Sequence, residues 1–231
     1  MSSFLVLCQK VARESGTIEG VAPSAVTGQI GRLLKVVNWT SDAWSEIQNS
    51  RENWEWMRKD WSFALSESTG RYTPASFNLT NHSRWVKDER STTVYDTSTG
   101  VSDESDLKFI SYRDFRIRYE RGTQTDDRPV HWTITPAGEF AVGPKPDDSG
   151  FTATGEYYQG NEILTENADV PDLPSRFHDV IVWRALMKLA KSDENRDGSE
   201  YAEGLYISLM AALERDQLPD VEIDYSKSTL A

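Results

Sequence analysis

Between residues 3 and 14 the apolar side chains fall at Phe4, Leu7, Cys8, Val11 and Ala12, steps of three and four that place them on one face of a helix, and Gly16 ends the pattern. A connection containing Gly, Pro and Ser follows. The stripe resumes at Ile30, Leu33, Leu34, Val37, Trp44 and Ile47 and predicts a long second helix to about Ser50, capped by Ser24 or Thr27. Aromatics then crowd together as Trp54, Trp56 and Trp61, and the periodicity changes. Short β-branched or aromatic runs at 61–65, 92–95, 130–135, 139–142 and 151–158 are separated by Gly, Pro, Asp and Ser, the texture of strands and turns. Thr135-Pro-Ala-Gly-Glu139 reads as the turn between two of them, and Gly143 to Gly150 as a rigid loop before the last. Residues 106–121 carry Leu107, Phe109, Ile110, Tyr112, Phe115, Ile117 and Tyr119, a pattern equally open to a short helix or an irregular strand.

Helical periodicity returns after Val170-Pro-Asp-Leu-Pro174. The two prolines hold the approach extended, and Pro174 suits a first helical turn because its missing N–H costs nothing there. From Phe177 to Lys191 the apolar positions cover more than one face, leaving Arg184 and Lys188 as the exposed stripe. A helix of that kind is wedged between partners. Trp183 and Leu186 are therefore the residues expected to touch a neighbouring subunit. A short polar connection at 192–199 leads to a last helix with Tyr201, Leu205, Tyr206, Leu209, Ala212 and Leu213 on one side, which should pack antiparallel on its predecessor. Beyond it, Val221, Ile223 and Tyr225 alternate with acids in an extended tail able to lie on a neighbour's surface. The fold class that follows is α+β. A helical body of about four helices (1–60 and 171–215) carries a β-rich insertion (61–170) and an extended C-terminal tail (216–231).

Composition narrows the chemistry. The chain has 231 residues and a formal net charge of -12, which argues against a sequence-independent grip on nucleic-acid phosphates but not against a protein that surrounds DNA without holding it. Its single cysteine, Cys8, forms no internal disulfide and reads as a small core residue. No apolar run approaches the roughly 20 residues needed to cross a bilayer, so no membrane association is expected. Phe4 to Cys8 resembles a lipoprotein cleavage site only superficially, because the apolar run is short and Leu7 is bulky.

Asp193-Glu-Asn195-Arg-Asp197-Gly198 matches the first half of a calcium loop, but the closing ligand position holds Gly204, with Glu203 one residue early, so a polar helix connection is the better reading. His82, His131 and His178 lack partners at metal spacing, and there is no nucleophile elbow or phosphate-cradling glycine loop. Carboxylate pairs such as Asp126 with Asp127 or Asp147 with Asp148 are uninformative among 37 acids. The expectation is a non-enzyme with no cofactor and no metal. Eight tryptophans raise the alternative of a carbohydrate-binding or tail-associated β-domain, although aromatics at a helix-to-sheet junction more often bury area.

The order of elements resembles that of the head-to-tail adaptor, or connector, proteins of tailed bacteriophages. The residues carrying the resemblance are Phe4-Leu-x-Leu-Cys8, Val37-x-Trp39-x-x-x-Ala43-Trp44-x-x-Ile47-Gln48 within 28–47, Trp54-x-Trp56-Met57, Gly143-Pro-Lys-Pro-Asp147 and Pro171-x-Leu173-Pro174-x-x-Phe177-His178-x-x-Ile181. The resemblance implies a homo-oligomeric ring, typically of twelve subunits, in the neck of the virion. It would dock beneath the portal protein, receive tail or nozzle proteins below, and let DNA pass through its channel. It brings no catalytic residues, and it implies that the C-terminal segment extends towards the portal.

Overall fold

The computed structural model describes residues 1–16, 22–79, 81–88 and 90–218. In chain order the helices and strands are α1 (Phe4–Glu14), α2 (Gly31–Asn49), β1 (Arg58–Ala64), β2 (Arg71–Tyr72), β3 (His82–Trp85), β4 (Thr93–Asp96), β5 (Ser105–Asp106), β6 (Lys108–Phe109), α3 (Tyr112–Tyr119), β7 (His131–Ile134), β8 (Phe140–Gly143), β9 (Phe151–Gln159), α4 (Asp179–Ser192) and α5 (Arg196–Gln217). The architecture is mixed α+β, and it divides into two compact units, Met1–Trp56 with Asn161–Ala231, and Met57–Gly160.

The first unit holds α1, α2, α4 and α5, with α4 packed against each of the other three. Ser3 caps α1 by accepting a hydrogen bond from the Val6 N–H, and Phe4, Leu7, Cys8, Val11 and Ala12 are all buried. Neither Ser24 nor Thr27 caps α2. Ile30 occupies the cap position without a side-chain hydrogen bond, and Gly28, with φ of 70°, keeps a right-handed helix from running further back. Pro174 opens a short turn of 3-10 helix at Ser175–Phe177, and α4 follows with Val180, Ile181, Val182, Ala185, Leu186, Met187 and Leu189 buried. Even its two polar positions are covered, since Arg184 and Lys188 reach Glu46 of α2 at 2.7 and 2.5 Å.

Three residues join α4 to α5, and Asn195 caps α5 by accepting from the Gly198 N–H at 3.0 Å. Of the 22 residues of α5 only Ala202, Met210 and Leu213 are buried. Of the side expected from the sequence pattern, Leu213 is buried and Leu205, Tyr206, Leu209 and Ala212 are half-buried, whereas Tyr201 is 67% exposed. The expected tail also begins later than residue 216, since hydrogen bonding carries α5 through Gln217. Val221, Ile223 and Tyr225 lie outside the described residues.

In the second unit β9 is the centre of the larger sheet, antiparallel to β1 along one side and to β4 and β3 along the other, with β5 beyond β4. The smaller sheet runs β2–β8–β7–β6, with β6 parallel to β7. The β7–β8 hairpin turns at Thr135–Glu139: the Thr135 N–H donates to the Glu139 carbonyl, and Gly138 supplies the positive φ of 79°. Side chains from both sheets meet in one aromatic core containing Trp61, Tyr72, Phe77, Trp85, Trp132, Phe140 and Tyr157. Trp61 stands edge-on to Phe77, Trp85 and Phe140 at 4.9, 5.8 and 5.2 Å. Gly155 faces Trp61 across the β1–β9 pair, and a Cβ there would lie 2.6 Å from the indole, which fixes the need for glycine. The undecided stretch 106–121 contains both forms. Lys108–Phe109 joins β7 as β6, and Ser111 then caps α3 by accepting from the Asp114 N–H.

Candidate interaction surfaces

Cys8, His178 and His131 have structural occupations. Cys8 is buried and its thiol is pushed up to about 12 by that burial, so it stays protonated at neutral pH. His178 lies 2% exposed at the head of α4. Its Nδ1 accepts from the Ser2 N–H at 3.2 Å and its Nε2–H donates to the Leu173 carbonyl at 3.1 Å, which ties the N-terminus to the Pro-marked approach. Burial holds this ring below the ordinary imidazole range. His131 sits 2.6 Å from the Tyr119 hydroxyl; burial, then the cations of Arg118 and Lys108, push it down as well.

Glu162 is pushed up, chiefly by burial, while it accepts from the Trp44 indole N–H and the Asp172 N–H, each at 3.2 Å. That carboxylate pins the return segment to α2, where the Gln48 side chain also donates to the Glu162 carbonyl at 3.0 Å and accepts from its N–H at 2.7 Å. The incomplete calcium loop is used for packing: Asp193 takes a two-pronged contact from Arg32, and Asn195 serves as a helix cap. Among the described residues no group of three His, Cys, Asp or Glu is placed to hold a metal ion. Asp126 accepts from the Ser68 hydroxyl and Asp148 from the Gly150 N–H, so the acid pairs stabilise loops.

The tryptophans are equally committed. Trp44, Trp54, Trp56, Trp61, Trp85 and Trp132 are buried, and Trp54 stacks on Trp56 at 4.3 Å. Six of the eight therefore fill cores and offer no sugar a face. A concavity of about 680 Å³ in the second unit is an open polar cleft between Arg71, Tyr119, Glu120, Gln124, Asp126 and Lys145; Arg71 and Glu120 neutralise one another across it.

What remains unpartnered is surface. In the first unit Trp183 is half-buried and stands edge-on to exposed Tyr201 at 6.0 Å. Together with Leu186, Leu189, Ala190 and Ala202 they line a shallow groove of about 110 Å³. Leu186 is 7% exposed and forms its floor. Ile207 on α5 and Ile30 and Leu34 at the start of α2 are exposed too. In the second unit the arginines of α3 are exposed, beside scattered apolar side chains such as Val101, Phe109, Ile117 and Val130. Trp183 could be found from sequence by the apolar excess of its helix. The exposure of Tyr201 and Ile207 could not, because apolar residues at helical spacing normally mark the buried side.

The chain is thus a mixed α+β protein with exposed apolar side chains on its helical unit and exposed arginines on its β unit. The family model described as SU10 adaptor protein matches residues 2–226, and the chain belongs to that family. It is thus a phage adaptor with a structural role, a component of the virion, and it works by contact with other head or tail proteins. No curated protein matches the chain. Among the described residues no helix is long and apolar enough to cross a membrane.

Proposed function

We propose that the chain is a head-to-tail adaptor: a ring, expected to contain twelve copies, that docks beneath the portal, receives tail or nozzle proteins on its other side and forms part of the DNA channel in the neck. The observation that carries this reading is the family match over 2–226. The exposed apolar side chains of α4 and α5 support it, since α5 leaves Tyr201 and Ile207 in water at 67% and 58% exposure. Subunit packing in a closed ring would bury such a surface. Trp183 and Leu186 are assigned to the subunit contact, and Val221, Ile223 and Tyr225 to a subunit or portal contact. The net charge of -12 suits a channel through which DNA slides without adhering.

The test is co-expression with the portal protein from the same phage, followed by native mass spectrometry. A complex of portal with a ring of this chain is expected. A chain that stays monomeric and never binds the portal overturns the proposal.

A further inference from the structure

The groove between Trp183 and Tyr201 lies on one side of α4, and α2 packs on the other. Arg184 and Lys188 reach α2 through Glu46 at 2.7 Å and Asp42 at 3.5 Å, whereas Leu186 and Ala190 line the groove. Positions two apart on a helix differ by about 200° around its axis, so the two sets face opposite ways. The same ion pairs give the register. Four residues forward along α4 go four back along α2, and Ser192, the last residue of α4, falls level with Asn38. The first residues of α2, from Gly31, therefore run past the end of α4 by roughly 10 Å.

That overhang is uncovered and apolar. None of Gly31 to Lys35 is buried, and Ile30 and Leu34 are 83% and 42% exposed. Arg32 turns inward to Asp193 at 2.9 Å; Leu34, two positions on and so on the opposite side of the helix, points away from the body. The groove is the matching hollow. Its volume of about 110 Å³, the room of roughly four waters, takes one aliphatic side chain and not a whole helix. The charges around the two features are opposite as well. Residues 22–41 contain Arg32 and Lys35 and no acid, whereas residues 192–204, which supply one end of the groove, carry Asp193, Glu194, Asp197, Glu200 and Glu203 against Arg196 alone.

We infer that the groove of one copy receives the overhanging first turn of α2 from the next copy, with Ile30 seated among Trp183, Leu186 and Tyr201, Leu34 beside it, and Lys35 towards the acidic end. A projection on one side of the body and a hollow on the other make the contact heterologous, and such a contact repeats head to tail and closes into a ring. Burial of the apolar side chains supplies its strength, and the opposite charges fix its orientation. The inference rests on the ring proposed above and names the part of the neighbour that covers Trp183 and Leu186.

The experiment takes the full-length chain carrying Leu34→Cys and Ala190→Cys, mixes it with the portal protein of the same phage, oxidises it and runs it on a non-reducing gel. Cys8 is buried and stays out of the cross-link. The double variant should give multimers rising in steps of one subunit, and each single variant should stay monomeric. Dimers from either single variant bring like surfaces together and overturn the head-to-tail contact. Leu34 is exposed and Ala190 half-buried, so circular dichroism of the variants should match the parent. Hydrogen exchange on the unaltered chain gives a second measurement that needs no substitution: on assembly with the portal, the amides of 31–35 and of 198–202 should slow together, by about tenfold or more. Slowing at 198–202 alone gives the groove to the portal or a tail protein and overturns the inference. Lys35→Glu, added to the double variant, should lower the cross-linked fraction several-fold at low salt and less at high salt. A ring seen by native mass spectrometry without any cross-link overturns only this contact; a cross-linked ladder from a chain that forms no ring on the portal overturns only the ring.

Discussion

The two units solve the problem of burial differently. The helical unit is built on aliphatic contacts, such as Leu7, Val11, Ile47, Ile181, Leu189 and Leu213, and its longest helix is mostly uncovered. The β unit closes over interlocked rings, and its own apolar side chains are largely satisfied by the core they share. The first is left with greasy surface along α5; the second is left with exposed arginines on α3 beside scattered apolar side chains such as Ile117 and Phe109. Association through the first should therefore gain from burial and resist salt, whereas association through the second should be weakened by salt.

The largest expected effect is in the aromatic core. Trp61→Ala removes the ring that touches Phe77, Trp85 and Phe140, and should cost about 3–5 kcal/mol in urea unfolding. Ile181→Ala, at a fully buried position on α4, should cost about 2–5 kcal/mol. If both substitutions lower a single shared transition by the same shift, the units unfold as one and the contrast is one of composition alone; separate transitions sharpen it. Next in size, Tyr201→Ser should change stability by no more than about 0.5 kcal/mol, yet reduce ring assembly in high salt, as read by native mass spectrometry. Unchanged assembly would take α5 out of the subunit contact.

The smallest effect concerns pH. The folded pKa of His178 is depressed below 6.5, chiefly by burial, so the unfolded chain takes up the proton first as pH falls. Its contribution to stability is whole above 6.5 and is lost as pH drops through the folded value. Protonation would also place an N–H on Nδ1, facing the Ser2 N–H that it now accepts from. Hydrogen exchange at Ser2 should rise over that window in the parent, and His178→Gln should flatten the pH dependence.

Sequence made the strongly periodic pieces legible. The stripe through Phe4 and Val11, the apolar excess of α4 and the Thr135–Glu139 turn are local patterns with one physical solution each. The start of α2 was not legible, because positive φ at Gly28 and Gly31 depends on the path of the loop and not on a capping side chain. Two-residue strands such as β2, β5 and β6 have no period at all; pairing with β8, β4 and β7 defines them. Residues 106–121 read ambiguously because a strand and a helix adjoin there, separated by the Ser111 cap. Of the interaction surface, Trp183 stood out as an apolar residue too many. The exposed arginines of α3 did not, since whether a charge is matched depends on partners far away in the chain.

One feature of the larger sheet bears on handling the isolated chain. β1 is its outer strand, and the Leu65 N–H to Phe151 carbonyl bond sets the register in which Asp60, Ser62 and Ala64 turn their backbone groups away from β9. Those three residues are exposed, so seven residues of strand end in a row of open donors and acceptors, a template on which foreign strands can grow. The Asp60 carboxylate stands on that border as a gatekeeper. Shelf life of the purified protein then depends on how well that open border is kept from other strands.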